Sequence, residues 1–298
     1  MKSKMNLWDN IKQTFRQGNF LVKLIYINIA VFVLLKLLMV GFRLFNVSGE
    51  FLTRYLAVPS DLTQLLYHAW TLLTYMFLHE GFFHLFFNML CLYWFGKMFL
   101  LHFSEKQLLG LYLIGGFVAA AFYIIAYNLF PYYAPLLGTS LLLGASGSVM
   151  AVIVASAVKS PNSEMNLFLI GAVKLKYIAI VVVLISFFGI TSDNGGGELA
   201  HLGGAFAGYL FALSLSKGRD ITKGLNRFLD GIFTLFSPVK MKVSKKSKPR
   251  NSRMSDGDYN RNKVRNMAEI DRILDKIKAS GYDSLTADEK RKLFDQGR

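Results

Sequence analysis

Six apolar runs limit what this chain can fold into more than any other feature: Phe20 to Phe42, Phe82 to Leu101, Leu108 to Phe130, Leu141 to Val158, Tyr177 to Ile190 and Ala200 to Leu215. A bilayer's hydrocarbon core is about 30 Å thick and takes roughly 20 apolar residues of helix to cross. Of the 298 residues, 53% are hydrophobic and 18% charged, too apolar for an ordinary soluble domain. The expectation is an all-α polytopic membrane protein, a bundle of six transmembrane helices. Lys36 interrupts the first run and Lys174 and Lys176 precede the fifth, so the ends of those two are the least defined.

Charge orients the bundle. The net charge is +15, yet residues 131–139 and 191–198 contain no Lys or Arg. Lys97, Lys106, Lys159, Lys174, Lys176, Lys217 and Arg219 fall on the opposite side. By the positive-inside rule both termini are expected in the cytoplasm, in a cell (inner) membrane. Topology and anionic lipid then account for the basic balance, so the bilayer is an expected partner and nucleic acid is not. The first run follows a polar, basic leader and is long enough to span, so it does not read as a cleaved signal peptide. Cys91 stands alone, offers no internal disulfide and reads as a small buried thiol.

The chain divides into a cytosolic leader (1–19), a membrane domain (20–216), an amphipathic inner-leaflet helix (217–240), and a basic linker with a small helical tail (241–298). Arg43 to Trp70 is too long for a tight turn and too apolar for a solvated loop, so it is expected to lie partly in the membrane interface. Ile221, Leu225, Phe228, Leu229, Ile232, Phe233 and Phe236 recur at helical spacing between Lys223 and Arg227 and mark the amphipathic helix. In the tail, Ile270, Ile273, Leu274 and Ile277 mark a helix, Gly281 a break, and Thr286 to Glu289 a capping box.

Polar side chains inside a membrane are costly, face inward and mark function. Ser146 lies in the fourth run within Gly144-Ala145-Ser146-Gly147, His201 opens the sixth, and His84 and Asn88 stand one helical turn apart in the second. At 1.5 Å per residue, Ser146 lies about 20 Å, His201 about 24 Å and His84 about 27 Å from the basic ends of their helices. All three therefore fall in the outer half. Gly204 and Gly208 form a small-xxx-small face and Gly144 and Gly147 flank Ser146, so two backbones can approach closely enough for a Ser–His contact. A serine hydroxyl needs a base, the part open to His201. The oxyanion formed on attack needs donors, which Asn88, His84 and the Ser146 amide can supply.

Other chemistries fit less well. His79 and His84 are spaced i, i+5, whereas a zinc motif needs i, i+4 to share a face, so no metal and no cofactor are expected. G-x-S-G is not the G-x-S-x-G elbow of soluble hydrolases. Asp193 and Glu198 fall in the preceding outer loop and read as solvated, leaving a Ser–His dyad.

Taken in order, Trp70, His79, His84-x-x-x-Asn88, Gly144-x-Ser146-Gly147 and Ala200-His201-x-x-Gly204-x-x-x-Gly208 resemble the rhomboid intramembrane serine proteases over about residues 20–216. The resemblance implies a six-helix fold with Ser146 as nucleophile and His201 as base. It also implies an oxyanion hole of His84, Asn88 and the Ser146 amide, and single transmembrane segments as substrates. Departures from the family are Thr71 in place of an Arg after Trp70, expected to loosen the first loop, and Met150 in place of an aromatic one turn after the nucleophile. The family's acidic residue at the inner end of the second span has no counterpart unless Glu105 substitutes. The competing expectation is a non-catalytic rhomboid-like protein that binds transmembrane clients. A small transporter or channel would need ionisable residues along a continuous path, where only Lys36 lies mid-span. The sequence sets no oligomeric state.

Overall fold

The computed structural model describes residues 14–15, 18–167, 170–236 and 269–295. Six helices carry the apolar runs: α1 (Phe20–Leu44), α2 (Phe82–Leu100), α3 (Glu105–Leu129), α4 (Ser146–Lys159), α5 (Leu175–Phe188) and α6 (Gly195–Ser216). Among the described residues, α1, α2, α3 and α6 are long and apolar enough to cross a membrane, while α4 and α5 are shorter, at 14 residues each.

The short α4 is the centre of the bundle. Every residue from Gly147 to Ala157 is buried, enclosed chiefly by α6, α3 and α2. A 14-residue helix is about 21 Å long, well short of a bilayer core of about 30 Å. The helix expected from Leu141 in fact begins at Ser146. Leu141–Leu142 is a short strand, β2, paired antiparallel with Val58–Pro59, β1, which lies in the first loop. Ser60 N–H donates to the Ser140 carbonyl at 3.2 Å and Gly144 N–H to the Tyr75 carbonyl at 3.0 Å. Non-helical backbone at membrane depth is tolerated only where protein satisfies its hydrogen bonds. Here the first loop does so, and apolarity alone gave no hint of the break.

That loop is itself structured, with short helices at Glu50–Leu56 and Leu62–Tyr67. Phe51, Leu66 and Tyr67 are exposed on it, as an interface-lying segment requires. Thr71 is packed within it. The residue is fully buried, and its hydroxyl donates to the His68 carbonyl at 2.6 Å. Trp70 Nε1 donates to the Tyr55 carbonyl at 2.9 Å, and the rings of Tyr55, His68 and Trp70 pack mutually.

Glycine sets the α4–α6 contact. A Cβ on Gly204 would fall 2.0 Å from the Gly147 carbonyl oxygen, and one on Gly208 would fall 2.2 Å from that of Ala151. The two helices therefore touch backbone to backbone. At the rims, Phe20 N–H donates to Glu105 Oε2 at 3.1 Å and Lys36 Nζ to the Glu80 carbonyl at 2.7 Å. Glu105 thus ties the start of α3 to the start of α1. An antiparallel pair, β3 (Glu164–Leu167) and β4 (Gly171–Lys174), joins α4 to α5. Its strands are too short to stand out as a periodic pattern.

A further helix, α7 (Lys223–Phe236), packs Leu225 and Leu229 against the bundle and pairs Asp230 with Lys106 at 2.7 Å. The chain divides into two compact units between Ser237 and Pro238. The expected linker at 241–261 and leader residues 1–13 lie outside the described residues. In the second unit a helix over 269–280 and one at Ala287–Asp295 are joined through Gly281, whose φ of +76° suits glycine. Ile273 and Leu285 are buried. The capping box forms: Thr286 N–H donates to Glu289 Oε2 at 2.7 Å and Glu289 N–H to Thr286 Oγ1 at 3.3 Å.

Two predictions follow from this packing. Gly208→Leu must drive the α4 and α6 backbones apart and should cost about 2–3 kcal/mol, read as a lowered Tm in detergent. Gly224→Ala, which meets nothing within 4 Å, should leave Tm unchanged or slightly raised. In the tail, the Thr286 backbone N–H and the Lys276 ammonium hold the Glu289 carboxyl down at about 2. A carboxyl lowered on folding stabilises above its ordinary value and loses that contribution as pH falls through the folded one. Hydrogen exchange over 285–295, corrected for intrinsic rate, should therefore accelerate between pH 5 and pH 2. Glu289→Gln should show the faster exchange already at pH 5.

Candidate active site

Ser146 is the first residue of α4, following Ala145 at the N-cap. The opening N–H groups of a helix have no intrahelical acceptor and carry the positive end of its dipole. The hydroxyl thus sits beside a free backbone donor at the point where the chain changes from extended to helical. Gly144 makes the change possible. Its φ is +128°, and a Cβ there would lie 2.9 Å from His84 Nε2 and 3.7 Å from Ser146 Oγ. The His84 ring and the serine hydroxyl therefore flank a position that only glycine can occupy.

A cavity of about 270 Å³ is lined by Ser146 of α4, His201 of α6 and Asn88 of α2, together with Phe87, Cys91, Met150, Val182, Ile185, Ser186 and Glu198. Residues separated by more than a hundred positions thus share one hollow. Among the described residues no hydrogen bond joins Ser146 to His201. Asn88 Nδ2 donates to the His84 carbonyl at 2.8 Å, which uses one amide hydrogen and leaves the other. His84 is not among the residues lining this cavity; it lines a second one of about 230 Å³ with Glu80, Leu141 and Asn194. Met150 is buried at the same hollow as His201, and Cys91 is half-buried there rather than enclosed in the core.

His79 lies in the turn before α2, buried, with its ring 5.1 Å from that of His84 and nearly perpendicular to it. Burial, reinforced by the neighbouring His84, pushes the His79 imidazole down to about 4 against a small upward pull from the Phe77 backbone. It is neutral at physiological pH and backs the His84 ring as an aromatic wedge. Among the described residues, no group of three or more His, Cys, Asp or Glu could hold a metal ion.

Glu198 is where the sequence reading needs correcting. It is not a solvated loop residue. Helix α6 starts at Gly195, so Glu198 occupies its first turn, with its side chain 16% exposed and Oε2 3.1 Å from His201 Nδ1. Ser186 Oγ of α5 approaches the same nitrogen at 3.2 Å. The i, i+3 spacing that puts Glu198 and His201 on one helix face was present in the sequence. The run Gly195-Gly196-Gly197 concealed it, because three glycines read as a loop. Packing is their purpose: a Cβ on Gly195 would lie 2.1 Å from the Ile190 carbonyl oxygen, and one on Gly196 would lie 2.9 Å from the Tyr123 ring. Ser186 carried no such signal, being a lone hydroxyl in an apolar run.

Comparison with known proteins bears on this geometry. The Rhomboid domain family matches residues 67–218, which include every one of these site residues. Residues 255–295 match a family of unknown function, DUF6576. RHOMBOID-like protein 12, mitochondrial, from Arabidopsis thaliana is 29% identical over 158 residues, covering 50% of this chain and 47% of that protein. The chain thus spans about half the length of this curated relative. With a Rhomboid domain over half its length, folded as a bundle of apolar helices, the chain is a multi-pass membrane protein and belongs to the rhomboid family.

Proposed function

We propose that this protein is an intramembrane serine endopeptidase that cuts peptide bonds in or near transmembrane segments. The observation that carries the proposal is the single cavity on which Ser146, His201 and Asn88 converge from three helices. In the proposed cycle, His201 takes the Ser146 hydroxyl proton as Oγ attacks the scissile carbonyl. Negative charge develops on the carbonyl oxygen and is met by the Ser146 N–H, the free Asn88 amide hydrogen and the His84 ring. His201 returns the proton to the departing amine, leaving an acyl ester on Ser146. Water activated by the same imidazole then hydrolyses the ester and frees the serine.

Access agrees with this chemistry. Phe87 of α2 and Ile185 of α5 line the cavity and are themselves 58% and 61% exposed, so an apolar segment can approach between these helices from the lipid. The substrates proposed are single transmembrane segments. The orientation proposed follows from charge, with both termini and the helical tail on the cytoplasmic side of a cell (inner) membrane and the cavity toward the outer face.

The test is labelling of the detergent-purified protein with a fluorophosphonate probe, with mass mapping of the adduct, alongside cleavage of a single-span reporter. Labelling is expected at Ser146 and should vanish in Ser146→Ala. In His201→Ala both labelling and cleavage should fall to background. Asn88→Ala should lower turnover by about 10²–10³, as loss of one oxyanion donor does, with Tm maintained. An unlabelled wild type that folds and leaves the reporter uncut would instead favour non-catalytic binding of transmembrane clients.

A further inference from the structure

The geometry points to Glu198 as a positioning residue that orients the base His201, so that the Ser146–His201 dyad works with a carboxylate behind its imidazole. The inference rests on the hydrolase reading above. Its starting point is that imidazole has two nitrogens with separate duties. Glu198 Oε2 lies 3.1 Å from Nδ1. A carboxylate at neutral pH only accepts hydrogen bonds, so Nδ1 must be the protonated nitrogen. That leaves the lone pair on Nε2, in a ring that shares its cavity with Ser146. When Nε2 takes the serine proton, the new positive charge forms against the carboxylate. The proton stays on the imidazole and none passes to Glu198, which holds the ring and faces the charge that forms on it.

The surroundings hold the carboxylate in place. Glu198 sits in the first turn of α6, where the helix dipole favours negative charge. Gly189, at the C-terminal end of α5, leaves it room: a Cβ there would fall 2.8 Å from Glu198 Cγ and 3.2 Å from Cδ. Buried Ser186 approaches the same Nδ1 from α5 at 3.2 Å. The groups facing His201 are Glu198 on its own helix, Ser186 on α5, Ser146 on α4, and Asn88, Cys91 and His84 on α2. Among these Glu198 is the one carboxyl, so any carboxylate influence on the base has to come from it.

The test follows the rate of fluorophosphonate labelling at Ser146 from pH 5 to 9, for the full chain in detergent, with wild type and Glu198→Gln measured together with Tm. The Gln variant keeps the shape but not the charge. Its plateau rate should fall by about 10–10², less than the loss of about 10⁴ seen when the corresponding carboxylate of a fully enclosed triad becomes an amide. Should the Gln variant fail to fold, Glu198→Asp serves in its place: it keeps the charge in the first turn but withdraws the carboxylate from the ring, and must show the same fall in plateau rate. If Glu198 only stabilises the start of α6, Tm falls while the plateau stays at its wild-type value, and the inference is overturned. A wild type that does not label at all overturns the hydrolase reading itself, an outcome distinct from that one.

Discussion

Everything in this bundle depends on the backbone contact between α4 and α6. Two helices with ordinary side chains pack with axes 8–10 Å apart, too far for a short serine side chain to share a pocket with a histidine across the gap. Here Gly204 lies against the Gly147 carbonyl and Gly208 against that of Ala151, with no room for even a methyl group. Lipid offers no hydrophobic drive to press helices together, so close van der Waals fit has to do it. The same absence of side chains that stabilises the pair brings Ser146 and His201 to one cavity.

The second constraint concerns where α4 begins. A full-length fourth span would carry its first turn, with its unpaired N–H groups, up to the bilayer surface. Beginning at Ser146 instead puts those donors inside the protein, beside the hydroxyl. The cost is five residues of non-helical backbone at depth, and the first loop offsets it through the β1–β2 pair and the Gly144 N–H bond to Tyr75. The loop is therefore more than an amphipathic cover. It completes the hydrogen bonding that allows a helix to start in the middle of a membrane protein, which in turn makes the Thr71 and Trp70 contacts that brace the loop relevant to the site.

How far the sequence showed this depends on the length scale of each signal. The six helices were legible because a bilayer imposes a long, uniform apolar run, and the ends of α1, α2 and α3 fall within about three residues of those runs. Ser146, His201, Asn88 and the glycine face were legible because polar or minimal side chains stand out against such a background. The start of α4 was not, because Leu141 and Leu142 are as apolar in a strand as in a helix, and only a partner fifty or more residues away distinguishes the two. Glu198 was missed because three glycines that serve close packing look the same as three that serve flexibility. Both failures share a cause: the deciding contact is tertiary, and the local pattern is compatible with either outcome.

Placing these groups together also explains why the cavity walls are mostly apolar. Val149, Met150, Ile153, Val182 and Ile185 surround the polar cluster, and a charge or dipole acts more strongly where water cannot screen it. The same surroundings make an unpartnered polar group costly. The site meets both conditions by giving its groups partners within the protein: Asn88 bonds the His84 carbonyl, and His201 bonds Glu198 and Ser186. Among the described residues the Ser146 hydroxyl lines this cavity with no hydrogen bond to His201, so the proposed activation requires the two to close to hydrogen-bonding distance.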